Sequence, residues 1–495
     1  MQSRREQLQA HSFIVGRLMS GVATGDIEAP RGPLRRQSVG LSAGVMVAVL
    51  LMAGTVVMGF LSPGGSTAWQ KANTLVQEKE TATRYVYVGG VLHPVLNYAS
   101  AKLLLGSSMT ITSASTSELK GTPHGAAVGI PDAPDALPAA AGLTSVPWLV
   151  CATAAPDVSG TPRPNVTVAV GGVTGASTLD ATKGVLVQTP DGAQYLLWQQ
   201  WRLRIGSAAV AVGLNLTSVA AVPVSAAWLD TIPAGPDLVS PPVPGRGGPG
   251  PRIAGQASTI GRLYTVHNVS GPDGTYLTLA DGLEPITATQ AALILADPAE
   301  KAAYQGGSPM EIPLSISDLA AAPRLPAAAP LAGSPTTPPT MTAAGPGSTP
   351  CMSVAFTGTT EPRYTLALTQ QSTLDRLLSG PQPPSATATV ANRVVVAPDT
   401  GMLVRSLPAP PSANVVSGTD YLITDTGAKY PLDGDDVPGA LGYQSAGFEL
   451  VPPELLDLFP TGPALSRAAA TQTSPAGVGA SAGVGASPST IPTGS

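Results

Sequence analysis

Apolar and polar positions follow a different rhythm in each part of this chain. Near the start, Leu8, Val15, Leu18, Met19 and Val22 recur at helical spacing among Arg4, Arg5, Glu6, Arg17 and Asp26, which predicts an amphipathic helix. Its apolar face is too small to build a domain and has to dock on a membrane or on a cytoplasmic partner. From Ser38 to Leu61 the alternation stops, and an uncharged stretch rich in Val, Leu, Met, Ala and Gly takes over. As a helix it is about 36 Å long against a hydrocarbon core of about 30 Å, so it is predicted to cross a bilayer.

Beyond the span the rhythm turns to short alternating runs broken by turn residues. Thr74–Gln77 and Arg84–Val88 are β-prone, Gly89-Gly90 marks a hairpin, Val91–Pro94 returns as a strand, and Asn97 can cap a helix bearing Ala101, Leu104 and Leu105. The same grammar recurs three times at irregular spacing. Val185–Val187, Asp191-Gly192 and Tyr195–Trp198 precede an apolar stretch, 208–212; Leu263–Val266, Asp273-Gly274 and Tyr276–Leu279 precede a helix over Thr289–Leu295. Tyr421–Thr424, Thr426-Gly427 and Lys429–Leu432 form the fourth copy. Segments 233–251 and 323–350, rich in Pro and in Gly or Ala, are expected to be extended spacers, and the tail after Arg467, with its tandem AGVGAS, to be disordered.

Charge sets the topology. Arg31, Arg35 and Arg36 precede the span and no Lys or Arg follows it until Lys71, so the N-terminus is expected in the cytoplasm and everything after Leu61 outside it. Trp69 lies just past the outer end, where an indole can sit at the headgroup level. A cleaved signal peptide fits less well, because its apolar region is shorter and ends in a small-residue cleavage site. Composition adds that Gly (55) and Pro (51) are abundant while charged residues make up 12%, a balance favouring strands and turns over long charged helices. No sustained basic stripe exists, and nucleic acid is excluded as a partner. The two cysteines, Cys151 and Cys351, both lie on the exported side, where an oxidising space favours a disulfide over two buried thiols. Such a bridge would draw the strand-rich pieces 148–170 and 352–396 into one central β domain.

Catalytic patterns occur only in contexts that disable them. Gly245, Gly247 and Gly250 fit G-x-G-x-x-G without the strand and helix a dinucleotide site needs. G-x-S-x-G occurs inside the span at Gly40–Gly44 and in the tail at Gly479–Gly483. His11, His93, His124 and His267 are scattered, Asp433, Asp435 and Asp436 lack the order of a calcium loop, and no G-x-x-x-x-G-K-[ST] appears. No catalytic residue, metal or cofactor is therefore assigned.

RYVYVGGVLHPVLNYASAKLLLG at 84–106, AWLDTIPAGPDLVSPPVPGRG at 227–247 and FELVPPELLDLFPTGPALSRAAA at 448–470 resemble segments of the EccB family of type VII (ESX) secretion systems, from the N-terminal helix to about Ala470. The resemblance implies an α+β chain: one N-terminal transmembrane helix, then an elongated periplasmic region of four small α+β repeats around a central, disulfide-bridged β domain. The expected division is a cytoplasmic helix and basic flank (1–37), span (38–61), repeat 1 (62–125), first part of the central domain (126–175), repeat 2 (176–245), repeat 3 (246–325), Pro/Ala-rich linker (326–350), second part of the central domain (351–405), repeat 4 (406–467) and tail (468–495). The resemblance further implies a single-pass protein of the inner (plasma) membrane and a structural role in export. Its expected partners are other copies of itself, an EccC-type ATPase, EccD, EccE and a mycosin protease. Some family members are described as ATPases, an activity for which these residues supply no basis. The repeats resemble a phage lysin's wall-binding module, so anchoring to peptidoglycan is the alternative, with Tyr276 and Tyr443 as sugar-stacking candidates.

Overall fold

The computed structural model describes residues 4–25, 34–61, 67–156, 159–171, 176–268, 273–329, 332–356, 361–377, 390–407 and 418–474. Two helices come first, Arg4–Thr24 and Leu34–Leu61. At 1.5 Å per residue the second is about 42 Å long, and its segment Val39–Val57 is the one helix among the described residues long and apolar enough to cross a membrane.

Four small sheets then share one topology. In unit 1, Thr74–Glu78, Arg84–Val88 and Val91–Pro94 form an antiparallel meander, the helix Tyr98–Leu105 crosses it, and Thr110–Ala114 returns parallel to the first strand. Unit 2 repeats this with Lys183–Gln188, Gln194–Trp198, Trp201–Arg204, helix Ala208–Gly213 and Val222–Pro223. Unit 3 uses Leu263–Val266, Gly274–Thr278, Leu283–Ile286, helix Ala288–Ala296 and Glu311–Pro313. Unit 4 uses Met402–Ser406, Asp420–Ile423, Lys429–Leu432, helix Val437–Leu441 and Glu449–Val451. Local chemistry explains the elements. Gly89 and Gly90 both have positive φ, as a tight two-residue hairpin demands. Asn97, Ser207 and Thr287 cap their helices by accepting the N–H of Ser100, Val210 and Gln290.

Each unit ends in a signature that the hairpin grammar does not reveal. Ser115, Ser225, Ser315 and Pro452 each start a short helix, a leucine stands four residues later (Leu119, Leu229, Leu319, Leu456) and a proline eight later (Pro123, Pro233, Pro323, Pro460). All four leucines are buried. The proline carbonyl accepts the N–H of a third-strand residue in every unit: Leu92, Arg202, Leu283 and Lys429. A proline has no N–H of its own to leave unpaired at this edge.

The central sheet has six strands in the order 393–396, 162–170, 148–156, 348–355, 363–370, 177–178. Two hairpins form its middle, with Cys151 opposite Thr167 in one and Cys351 opposite Ala367 in the other. Cys151 also faces Cys351 across the antiparallel seam between them. Residues 200 apart thus occupy equivalent places, and the offset carries over from Ser115, Leu119 and Pro123 to Ser315, Leu319 and Pro323. The chain is two copies of unit, hairpin, unit, and the strand register relates the two hairpins by a local twofold axis near the cysteines. The halves interlock. Strand 177–178 follows the first hairpin and pairs with the second, while 393–396 follows the second and pairs with the first. Likewise Thr340–Met341 runs parallel to the first strand of unit 2, and Leu143 bridges Gly401 beside unit 4.

Shared cores set the order of the parts. Ala99 and Leu103 of unit 1 pack with Leu403, Leu422 and Leu441 of unit 4. Met402, Val404 and Ile423 of unit 4, Val150 and Val354 of the central sheet, and Val185 and Leu197 of unit 2 form the largest core. Leu293 of unit 3 joins Leu196, Leu203 and Val210 of unit 2. The order in space is unit 1, unit 4, central sheet, unit 2, unit 3.

Several expectations are corrected. Segment 233–251 is not a spacer: Leu238 and Val243 are buried, and Pro249–Ile253 pairs with Gln256–Thr259. Within 323–350, Thr340–Met341 joins the sheet of unit 2 and Ser348–Pro350 opens a central strand. Proline content signalled extension there, but extended backbone also suits a strand edge. The tail's first part is ordered, since Thr473–Ser474 pairs with Ala127–Val128; its remainder lies outside the described residues. Met402–Ser406 belongs to unit 4 rather than to the central sheet.

Candidate assembly site

The disulfide-pinned seam holds the two halves in register. Cys151 and Cys351 are bonded, both fully buried, with Cα atoms 4.0 Å apart on neighbouring strands. Leu149, Ala169 and Leu374 cover the bridge on its face of the sheet. On the other face Trp148 packs edge-on to Phe356 (4.8 Å) and against Phe459 (5.0 Å). Trp228, fully buried at the end of unit 2, donates its Nε1 hydrogen to the carbonyl of Val150 at 2.9 Å. The third position after each cap separates the units by role. It is apolar and buried in Trp228 and Leu455, which reach the central core, and acidic in Glu118 and Asp318 of the outer units.

The N-terminal helices present the opposite picture. Leu8, Phe13, Ile14, Val15, Leu18, Met19 and Val22 are exposed on the first, and no residue of Val39–Val57 on the second is buried. Arg35 and Arg36 stand in the first turn of the second helix, and Arg31 lies outside the described residues. The helix starts four residues before the expected span, taking both arginines into its first turn. Trp69 is corrected outright: only 4% exposed, it packs with Val76, Tyr85 and Leu92 and meets Tyr87 edge-on at 5.2 Å. Its ring is part of the core of unit 1, leaving no face for the headgroup layer. Tyr443 is corrected too, since it is buried and its hydroxyl donates to the carbonyl of Pro138 at 2.8 Å, so it cannot stack on a sugar. Tyr276 is half-buried opposite Tyr264.

A cleft of about 580 Å³ between the helices of units 2 and 3 is lined almost wholly by small and aliphatic side chains, among them Ala209, Val212, Ala288, Ala292 and Leu295, and two further clefts lie at the joints. One of about 720 Å³ opens between units 1 and 4, lined by Tyr87, Leu104, Leu105, Gly439, Ala440 and Arg467. Another of about 450 Å³ lies where unit 2, the end of unit 4 and the central sheet meet, with Trp201, Tyr364, Pro453, Glu361 and Glu454 on its walls. Neither collects a nucleophile with a base, and among the described residues no group of three or more His, Cys, Asp or Glu could hold a metal. The buried ions have structural partners. Lys429 donates to the carbonyl of Leu456 at 2.6 Å, with Asp457 at 3.6 Å; burial lowers its pKa and Asp457 opposes that. Arg246 makes ion pairs with Asp297 (2.7 Å) and Glu300 (3.1 Å). In the sequence that cluster leaves only a faint trace, G-R-G within a proline-rich stretch and, about 50 residues later, Asp297 and Glu300.

A family model described as "Type VII secretion system ESX-1, transport TM domain B" matches residues 1–476. The ESX-3 secretion system ATPase EccB3 of Mycolicibacterium smegmatis is 31% identical over 483 residues, which cover 94% of this chain and 89% of that protein. The ESX-5 secretion system ATPase EccB5 of Mycobacterium tuberculosis is 29% identical over 495 residues, covering 94% and 92%. Among solved structures, a chain of an intact ESX-5 inner membrane complex matches with a TM-score of 0.66 at 25% identity, over 98% of both chains. A chain of an EccB3 dimer from the ESX-3 core complex matches with a TM-score of 0.65 at 26% identity, over 80% of this chain and 99% of that one.

Proposed function

The chain belongs to the EccB family of type VII secretion components, and on that premise we propose that it is a structural subunit of an inner-membrane export complex, multimerising outside the membrane over the export pore. The observation that carries this is the match over 98% of the chain to a subunit of an intact ESX-5 inner membrane complex. Dimers of a relative, EccB3, support assembly through copies of the same chain. The N-terminus lies in the cytoplasm, because Arg31, Arg35 and Arg36 flank the span on one side only, and the four units and central sheet are periplasmic. Exposed apolar side chains on both N-terminal helices fit lipid and neighbouring subunits, for which an EccC-type ATPase, EccD, EccE and a mycosin protease are the candidates.

The work of the subunit is geometric. Interlocked halves and a buried disulfide at their seam give a stiff centre, so that contacts made at the distal units fix the spacing of copies around a shared path. Although the relatives are named ATPases, this chain has no G-x-x-x-x-G-K-[ST] sequence to cradle phosphates. Blue-native electrophoresis of detergent-solubilised membranes, with this chain tagged and the bands read by mass spectrometry, tests the proposal. Co-migration with the other Ecc subunits is expected. Migration as a monomer or bare homodimer would overturn it and move peptidoglycan anchoring to first place.

A further inference from the structure

The glycines that mimic a dinucleotide motif serve an arginine. Gly245 and Gly247 have φ of +74° and +82°, a conformation that bends the connector on both sides of Arg246 and turns it inward. A Cβ on Gly247 would lie 3.2 Å from Ala302, and one on Gly261 would lie 3.0 Å from Glu300 Oε1, so the backbone closes tightly around the side chains. Arg246 Nη1 donates to Asp297 Oδ2 at 2.7 Å. Arg246 Nε lies 3.1 Å from Glu300 Oε2, yet neither that nitrogen nor either oxygen of Glu300 has a hydrogen-bond partner, and the Glu300 side chain is 0% exposed.

We propose that Arg246, Asp297 and Glu300 form a proton-operated clasp: proton uptake by Glu300 tightens the joint that fastens the connector from unit 2 onto unit 3, and proton loss loosens it. Charge balance is the reason. Asp297 already neutralises Arg246, so an ionised Glu300 leaves one uncompensated negative charge in a packed interior, whereas a protonated Glu300 leaves none. The other groups facing the cluster do not supply a second cation to Glu300. Arg262 donates from Nε to the carbonyl of Ala303, and the Tyr304 hydroxyl accepts from the N–H of Leu263 and donates to the carbonyl of Met310. Burial pushes the Glu300 carboxyl up to about 7, with Arg246 opposing and Asp297 reinforcing the rise. Asp297 sits below its ordinary value: burial raises it, but the N–H of Ala299 and Arg246 outweigh that. A carboxyl raised on folding gives stability that is complete below about 4.5 and lost as pH rises through about 7. The clasp therefore tightens in mild acid and slackens above neutrality, and it does not depend on the export role.

Hydrogen exchange of the full chain in detergent micelles, corrected for intrinsic rates, tests this between pH 5 and 8. In the wild type, opening of 241–262 and 297–306 should increase about ten-fold or more over that range, while strand 148–156 stays unchanged. Glu300→Gln should hold both segments near their acid level at every pH. Asp297→Asn, which frees Arg246 for Glu300, should move the transition to lower pH and keeps the test decisive if the glutamine variant does not fold. A flat wild-type profile, or a rise that persists in Glu300→Gln, or an Asp297→Asn transition that fails to move down, overturns the clasp.

Discussion

Replacing Trp228 by alanine tests whether a single position after each cap decides which units dock on the central sheet. The indole is fully buried in the largest core and its Nε1 hydrogen bonds the carbonyl of Val150, one residue from the disulfide. Truncation removes a large apolar side chain, at about 3–5 kcal/mol for transfer and cavity together, and a buried hydrogen bond worth about 1 kcal/mol more. A loss of about 4–6 kcal/mol at the joint between unit 2 and the central sheet is expected. The equivalent Asp318 of unit 3 accepts from the Ser315 hydroxyl at 2.6 Å and touches no central core, so Asp318→Ala should cost under about 1 kcal/mol. Hydrogen exchange read at 148–156 and 226–232, with urea unfolding followed by near-ultraviolet circular dichroism, measures both. Equal effects of the two substitutions, or a Trp228→Ala loss below about 1 kcal/mol at 148–156, would refute the assignment of docking to this position.

Removing the bridge with Cys151→Ala and Cys351→Ala opens a loop of 200 residues, which the chain-entropy model values at about 5 kcal/mol; the urea midpoint should fall, and non-reducing electrophoresis of the wild type should show faster migration than the reduced form. Gly247→Ala forces a side chain into a left-handed backbone beside Ala302 and should destabilise unit 3 by about 1–3 kcal/mol, read as lost protection over 297–306. Arg35→Glu with Arg36→Glu should lower the fraction of chains whose folded region is exported, measured with a reporter active only outside the cytoplasm. Purified chain incubated with ATP and magnesium should release no phosphate above background, and stoichiometric release that tracks the folded protein would reverse that expectation.

Local rules made much of the fold legible. The Gly89-Gly90 turn, the Asn97 cap and the apolar run to Leu61 each depend on neighbours in sequence, and each falls where such neighbours place it. What depended on distant partners was harder to see. Trp69 was read from its distance to the span, yet a Trp near Tyr87 and Leu92 buries more surface in a core than at an interface. The connector at 233–251 was read from its prolines, whereas Leu238 and Val243 carried the information that it packs. The S-x-x-x-L-x-x-x-P pattern was present in three units, with proline in place of serine in the fourth, and would have fixed the unit ends and the 200-residue duplication. The hairpins, whose spacing varies from unit to unit, do not carry it; the short terminal helix, whose spacing is constant, does. The cysteines were legible as a pair from compartment alone, but not their place near a twofold axis.

Interlocking also sets a timetable for the newborn chain. Strand 148–156 emerges some 200 residues before its partner 348–355, and at roughly 5–20 residues per second that is about 10–40 seconds in which one edge of the first hairpin has nothing to pair with. Neither half can complete its own sheet, because 177–178 waits for the second hairpin and 393–396 arrives last to cover the first. Oxidation of Cys151 is therefore a late event, possible with its native partner only after most of the chain has been made, and until then the open edge of the first hairpin is exposed to premature pairing with other nascent copies.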